Sequence, residues 1–133
     1  MEYIDEEDEP DPELNAITNA IIGAAINVHR ELGPGHDEAV YQKAMGIELT
    51  ARGIAFVPQY PVELRYRGEV VGLGRLDLLV ENRVIVQIKS VEALGKVHAA
   101  QVMSYLRITR FKPALLINFN VAKLVDGVRR IAN

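Results

Sequence analysis

Two stretches, Leu76 to Val80 and Val84 to Ile88, are apolar almost without a break, and the short polar run Glu81-Asn82-Arg83 separates them. Strands that alternate apolar and polar residues can leave one face in water, but runs like these need cover on both faces. The pair is therefore expected at the centre of a sheet. Asp77 interrupts the first run, Gln87 interrupts the second, and Lys89 follows it. Burying a bare carboxylate in such a strand is costly unless it is paired or metal-bound. If Glu81-Asn82-Arg83 forms a three-residue hairpin loop, Asp77 lies opposite Gln87 and Leu79 opposite Ile85. Lys89, two residues past Gln87, then points to the same face, so an acid, an amide and an ammonium group converge. A two-residue loop would send Asp77 and Gln87 to opposite faces.

The rest of the chain supplies the cover. Leu14, Ile17, Ile21, Ala24, Ala25, Val28 and Leu32 recur at helical spacing and predict a helix over 14–32, ended by Gly33-Pro34-Gly35. A second helix is expected to start at Asp37, whose carboxylate can cap the first turn, and to run to Arg52 before Gly53. Phe56 to Tyr66, Val70 to Val80 and Val84 to Ser90 read as a meander of strands. A third helix is expected from Val97 to Ile108, and Ala114 to Phe119 reads as a buried strand introduced by Pro113. Val121 to Ile131 fits either a strand turn or a short helix. The expected class is α/β: a central mixed sheet of four or five strands flanked by helices.

A chain of 133 residues that is 49% hydrophobic can build one ordinary core, which directs the search to a single site. The absence of cysteine excludes a disulfide framework, a thiolate zinc site and a catalytic thiol. His29, His36 and His98 form no metal-binding pair, so zinc is not expected. Eight of the 18 acidic residues fall in the first 13 positions, leaving a body with 15 basic and 10 acidic residues, net +5. Residues 1–13 are expected to be an acidic, disordered leader, because like charges repel and Pro10 and Pro12 oppose early helix growth. A sharper alternative is that this acidic strip occupies a basic cleft and competes with nucleic acid. The domain proper is then 14–133. No secretory signal and no membrane-length apolar run is present, and the expected location is cytoplasmic.

Phosphodiester hydrolysis calls for a cluster of this type. Hard oxygen ligands hold Mg²⁺ (or Mn²⁺), the ion lowers the pKa of a bound water, and a nearby cation offsets charge building on the phosphate. Asp77 is the candidate principal ligand, Lys89 the group that orients water or stabilises the transition state, and Gln87 a donor of only a neutral amide oxygen.

Asp77 followed, after nine residues, by Gln87-Ile88-Lys89 resembles the D-x(n)-[D/E]-x-K motif of PD-(D/E)XK nucleases, with Gln in place of the second acid. Val28-His29-Arg30-Glu31-Leu32-Gly33-Pro34-Gly35 and Gly35-His36-Asp37-Glu38-Ala39-Val40-Tyr41 resemble the signature of the GxxExxY proteins, a branch of that superfamily. Gln101-Val102-Met103-Ser104-Tyr105 is similar to the QxxxY motif of RecB-type nucleases, and the likeness continues through Leu116-Ile117-Asn118-Phe119 and Asp126-Gly127-Val128-Arg129-Arg130. It spans about residues 14–131. The resemblance implies a restriction-endonuclease-like core and a divalent-metal-dependent nuclease acting on DNA or RNA. It implies a metal site of Glu38, Asp77 and Gln87, with Lys89 completing the catalytic set. Gln101 and Tyr105, one helical turn apart, would flank the bound phosphate or nucleotide. His29 matches a family histidine near the site.

Each assignment has an ordinary counterpart. Lys89 can be a strand-end lysine, Glu38 an acid favoured by the helix dipole, and Gln101 and Tyr105 a polar stripe on a core helix. Arg65, Arg67, Arg75, Arg107, Arg110 and Lys112 can bind phosphates or simply be solvated. Gln87 removes a negative charge from a divalent-ion site, so a catalytically inactive nucleic-acid-binding or protein-interaction module on the same fold is the alternative reading.

Overall fold

A computed structural model describes residues 2–3 and 11–133. The elements are β1 (Glu2–Tyr3), α1 (Pro12–Leu32), α2 (Glu38–Ala51), β2 (Phe56–Tyr66), β3 (Glu69–Val80), β4 (Val84–Lys89), α3 (Lys96–Thr109), β5 (Pro113–Asn118), a 3₁₀ turn (Leu124–Gly127) and β6 (Val128–Ala132). The sheet order is β1-β6-β5-β4-β3-β2, with five principal strands and the two-residue β1 added at one edge. Only β4 and β5 pair in parallel, joined through the α3 crossover; the remaining pairs are antiparallel. The structure is thus the α/β fold with a mixed central sheet, consistent with a restriction-endonuclease-like core.

Helices cover both faces, as the uninterrupted apolar runs require. On one face Ile21, Ala24 and Val28 of α1 and Tyr41, Met45 and Leu49 of α2 pack on Leu78, Val80, Val84, Val86, Ile88, Leu115 and Ile117. On the other, Val102, Met103 and Leu106 of α3 pack on Leu76, Leu79, Ile85, Ala114, Leu116 and Ile131. β5 is buried along its whole length. Each fully buried Leu or Ile contributes roughly 2 kcal/mol relative to exposure.

Helix α1 begins at Pro12, two residues before the expected Leu14. Asp11 caps α1, its Oδ1 accepting the N–H groups of Glu13 at 2.9 Å and Leu14 at 3.3 Å, and Pro12 occupies the first turn. Proline there costs no hydrogen bond and favours the helix, so Pro12 begins α1 where an obstacle to helix growth was expected. Arg83 ties Asp11 to the hairpin loop at 2.8 Å. The expectation of disorder for residues 4–10, and of an acidic strip competing in a cleft, lies outside the described residues. Asp37 sits at the N-cap position of α2, but its side chain makes no capping hydrogen bond, contrary to expectation. Its backbone carbonyl accepts the Val40 N–H instead, at 3.0 Å.

The hairpin loop is three residues long, with Val80 opposite Val84, Leu79 opposite Ile85 and Leu78 opposite Val86. Glu81 and Asn82 adopt φ of 54° and 55°, and the Arg83 N–H closes the turn on the Val80 carbonyl at 3.0 Å. A less expected feature lies one rung further along. Leu78 and Val80 belong to the core under α1 and α2, whereas Leu76 belongs to the core under α3. Regular alternation would keep all three on one face. The partner strand changes face at the same rung: Phe56 packs with the first core, Tyr60 and Val62 with the second. The residues at that rung are Asp77 on β3 and Gln59 on β2, bracketed by the pairs Pro58–Leu78 and Tyr60–Leu76. Gln59 has φ of 52°, a left-handed conformation within a strand that costs a non-glycine residue about 1–2 kcal/mol.

Candidate metal and phosphodiester site

At this rung side chains take over from the β3–β4 backbone ladder. The Asp77 N–H donates to the Gln87 amide oxygen at 2.6 Å, and the Gln87 Nε2 donates to the Arg75 carbonyl at 3.4 Å. In return the Ile88 N–H donates to Asp77 Oδ2 at 2.7 Å. The two strands remain clasped while β4 continues along β5 as far as the Lys89–Asn118 pair. Gln87 is buried, and Asp77 and Lys89 are half-buried.

Asp77 sits in an environment that opposes its charge. Burial pushes its carboxyl above the usual 3.8; the Ile88 N–H and the Lys89 ammonium pull it down, and the Glu38 carboxylate pushes it up again. Ile88, whose N–H binds Asp77, and Ser90, whose N–H binds Glu38, flank Lys89 in the chain, which brings the three side chains to one strand end. Among the described residues Lys89 has no ion pair within 4.0 Å, so its ammonium is not tied to either acid.

Glu38 reaches this place from α2. It is the first residue of the helix, and its Oε2 accepts the Ser90 N–H at 3.2 Å, just past the end of β4. Ser90 Oγ donates to the His36 carbonyl at 2.5 Å, tying the same two segments together. Tyr41, three residues along α2, is the anchor. It is fully buried, stacks on Phe119 with ring centroids 4.5 Å apart, donates its hydroxyl to the Gly33 carbonyl at 2.5 Å and accepts the His36 N–H at 3.2 Å. The Gly35-x-x-Glu38-x-x-Tyr41 spacing thereby lets one side chain fix the turn while the other extends over the strand end.

Asn118 secures the opposite side of the strand end. Its buried amide exchanges two hydrogen bonds with the Val91 backbone, at 2.9 and 3.1 Å, and the Phe119 N–H donates to the Lys89 carbonyl at 2.9 Å. Ser90 and Asn118 were not singled out from the sequence. A polar residue directly after Lys89, and an asparagine closing an otherwise apolar strand, are the signals that point to them.

The other sequence candidates spread out. Tyr105 is buried on the α3 face, where any Cβ at Gly74 would lie 2.6 Å from its hydroxyl, so the glycine makes room for the ring. Gln101, one turn earlier, is exposed. His98 is turned back on its own helix, its Nδ1 accepting the Gly95 N–H at 2.9 Å. His29 lies under the α1 face, with Nε2 2.8 Å from the Val121 carbonyl and its ring tilted against Phe119. Arg65 is engaged by Glu63 at 2.8 Å and the Gly68 carbonyl at 2.9 Å.

Among the described residues no three acidic or histidine side chains gather to cage an ion. Two carboxylates remain at the strand end, Glu38 and Asp77, each with one oxygen engaged by a backbone N–H. That donor set fits Mg²⁺, which keeps several waters and needs only one or two carboxylates together with substrate phosphate. The Gln87 oxygen is directed at the Asp77 N–H.

The profile of the PD-(D/E)XK nuclease superfamily matches residues 15–131. No curated protein and no solved structure gives a significant match. Nucleases of this superfamily act on nucleic acid and generally use divalent metal, typically Mg²⁺. Among the described residues no helix is long and apolar enough to cross a membrane. With the matched span running from the first helix to the last strand, the chain belongs to the PD-(D/E)XK nuclease superfamily, a membership that suggests nuclease activity.

Proposed function

We propose that the protein is a divalent-metal-dependent nuclease of the GxxExxY branch, hydrolysing phosphodiester bonds in DNA or RNA at the end of β4. The observation that carries this reading is that the backbone N–H groups on either side of Lys89, those of Ile88 and Ser90, bind the carboxylates of Asp77 and Glu38 at one strand end. Asp77 and Glu38 would hold Mg²⁺ (or Mn²⁺), which when bound supplies a Lewis acid and a more acidic water. Lys89, unengaged by either acid, orients the attacking water and balances charge on the phosphate. The water oxygen forms the new bond to phosphorus and releases its proton to solvent, the bond to the leaving oxygen breaks, and the leaving oxygen takes up a proton from solvent. Gln101, in the QxxxY position, is open to solvent and available to substrate, whereas Tyr105 is buried against Gly74.

A second reading has its own observation. Gln87 uses its amide as a strap between strands, which leaves two acids for the ion and favours a module that binds nucleic acid without cutting it. A cleavage panel separates the two readings. Linear duplex, circular DNA, single-stranded DNA and RNA are incubated with Mg²⁺, Mn²⁺ or EDTA. Metal-dependent products on at least one substrate are expected; intact substrates throughout, with binding retained, would establish the silent module.

A further inference from the structure

Beside the Glu38–Asp77 pair lies a groove of about 650 Å³ between α2 and the start of β2. Its walls include Ala39 and Leu78, the chain neighbours of Glu38 and Asp77, which puts it within a residue of the site. The floor is apolar, with Phe56, Pro58 and Ile47, while Gln42, Gln59 and Lys43 supply polar groups. From these features we infer that the groove seats an unpaired nucleobase of a single-stranded nucleic acid, next to the phosphate bound at Glu38 and Asp77. The location of that phosphate rests on the function proposed above.

Three observations support the assignment. First, the size lies within the range of small-ligand pockets, and an apolar floor with a few polar groups suits a flat heterocycle. Second, Gln59 Nε2 donates to Gln42 Oε1 at 2.7 Å, which fixes the two amides as a pair. The pair keeps the Gln59 oxygen as an acceptor and the Gln42 amino group as a donor, the pattern that reads a base edge. A base that enters a groove on the protein surface has left the helical stack, so it is unpaired. Third, Gln59 holds a left-handed backbone on the rung it shares with Asp77. Strain of this kind at a long polar side chain is characteristic of functional positions. Lys43, exposed beside the amides, offers a charge for the neighbouring phosphate.

The test is fluorescence anisotropy with labelled decamers of dA, dC and dT and with a ten-base-pair duplex, with Ca²⁺ in place of Mg²⁺ so that the phosphate site keeps its positive charge while cutting is suppressed. Native protein is compared with Gln59→Gly, which deletes the amide and accepts the left-handed backbone without strain, and with Gln59→Asn, which keeps a shorter amide. Gln59→Gly is expected to weaken single-strand binding at least fivefold, with unequal losses among the three decamers, and Gln59→Asn less. Duplex affinity and melting temperature should not fall. Single-strand affinity within twofold of native, an equal loss on duplex, or no oligonucleotide binding by native protein would each overturn the proposal. Cleavage measured separately distinguishes the two ideas. A cutting enzyme with an indifferent Gln59 removes the groove alone; a non-cutting protein whose single-strand binding depends on Gln59 removes the nuclease reading alone.

Discussion

Asp77 and Gln87 hold each other's strands by their side chains: the Gln87 oxygen takes the Asp77 N–H at 2.6 Å, and the Asp77 carboxylate takes the N–H of Ile88 at 2.7 Å. The residue in the second acidic position of the motif is therefore part of the sheet's own hydrogen bonding, and changing it alters stability and ion affinity in opposite directions.

Gln87→Glu is the direct case. A carboxylate can still accept the Asp77 N–H but has no hydrogen to offer the Arg75 carbonyl, and it adds a buried charge beside Asp77. In metal-free buffer the variant is expected to lose about 1–3 kcal/mol of stability, by urea unfolding. Mg²⁺ affinity should rise at least tenfold by calorimetric titration, and cleavage should rise with it. Equal stability and equal affinity would mean that Gln87 has no part in either.

Lys89→Ala removes the ammonium group proposed to orient the attacking water. Cleavage is expected to fall by a factor of about 100 or more, corresponding to roughly 3 kcal/mol of lost transition-state stabilisation. Melting temperature should change little, because Lys89 makes no ion pair among the described residues. Residual activity equal to native would refute the role.

The Asp77 carboxyl fixes a pH dependence. Its folded pKa is raised above the unfolded 3.8, chiefly by burial, so between those two values the folded state holds more proton than the unfolded state. Stability contributed through this group therefore falls as pH rises through that window, and the penalty is complete above it. Asp77→Asn keeps an oxygen for the Ile88 N–H and loses the charge. In EDTA it should melt higher than native protein at pH 7, with the gap closing below about pH 4. A lower melting temperature at pH 7 would count against a net charge penalty at Asp77.

Tyr41→Phe leaves the stack on Phe119 and deletes the hydroxyl that links Gly33 and His36. A loss of about 1–2 kcal/mol is expected in urea unfolding. Because the same turn carries Glu38 to Ser90, Mg²⁺ affinity should weaken as well, a change that calorimetry reads independently of folding.

Much of this arrangement was legible in the sequence, for identifiable reasons. The apolar runs around Asp77 and Gln87 demanded cover on both faces, and the three-residue loop set Leu79 opposite Ile85, as found. Helical spacing from Leu14 to Leu32 located α1, although Asp11-Pro12, a cap followed by a favourable first-turn proline, was read as leader. The change of face at Asp77 was hidden because Leu76 and Leu78 are both leucine: each satisfies either core, and alternation alone assigns them to one. Nor could composition show that the Gln87 amide is engaged with backbone, since that depends on the ladder giving way at Asp77. The closeness of Glu38 to Ser90 joins residues 52 positions apart, and only the folded chain supplies it.

The paired change of face at Gln59 and Asp77 limits how the β2–β3 hairpin can vary in length. Beyond that rung Val62 and Leu64 on one strand, and Leu76 on the other, must all lean toward the third helix. Dropping one residue from a single strand would turn its inward row outward and leave its neighbour's row unmatched. Between that rung and the register shift at Leu64/Arg65, where β3 already carries one unmatched residue, lengthening or shortening in relatives is expected to come as matched additions on both strands, or in steps of two.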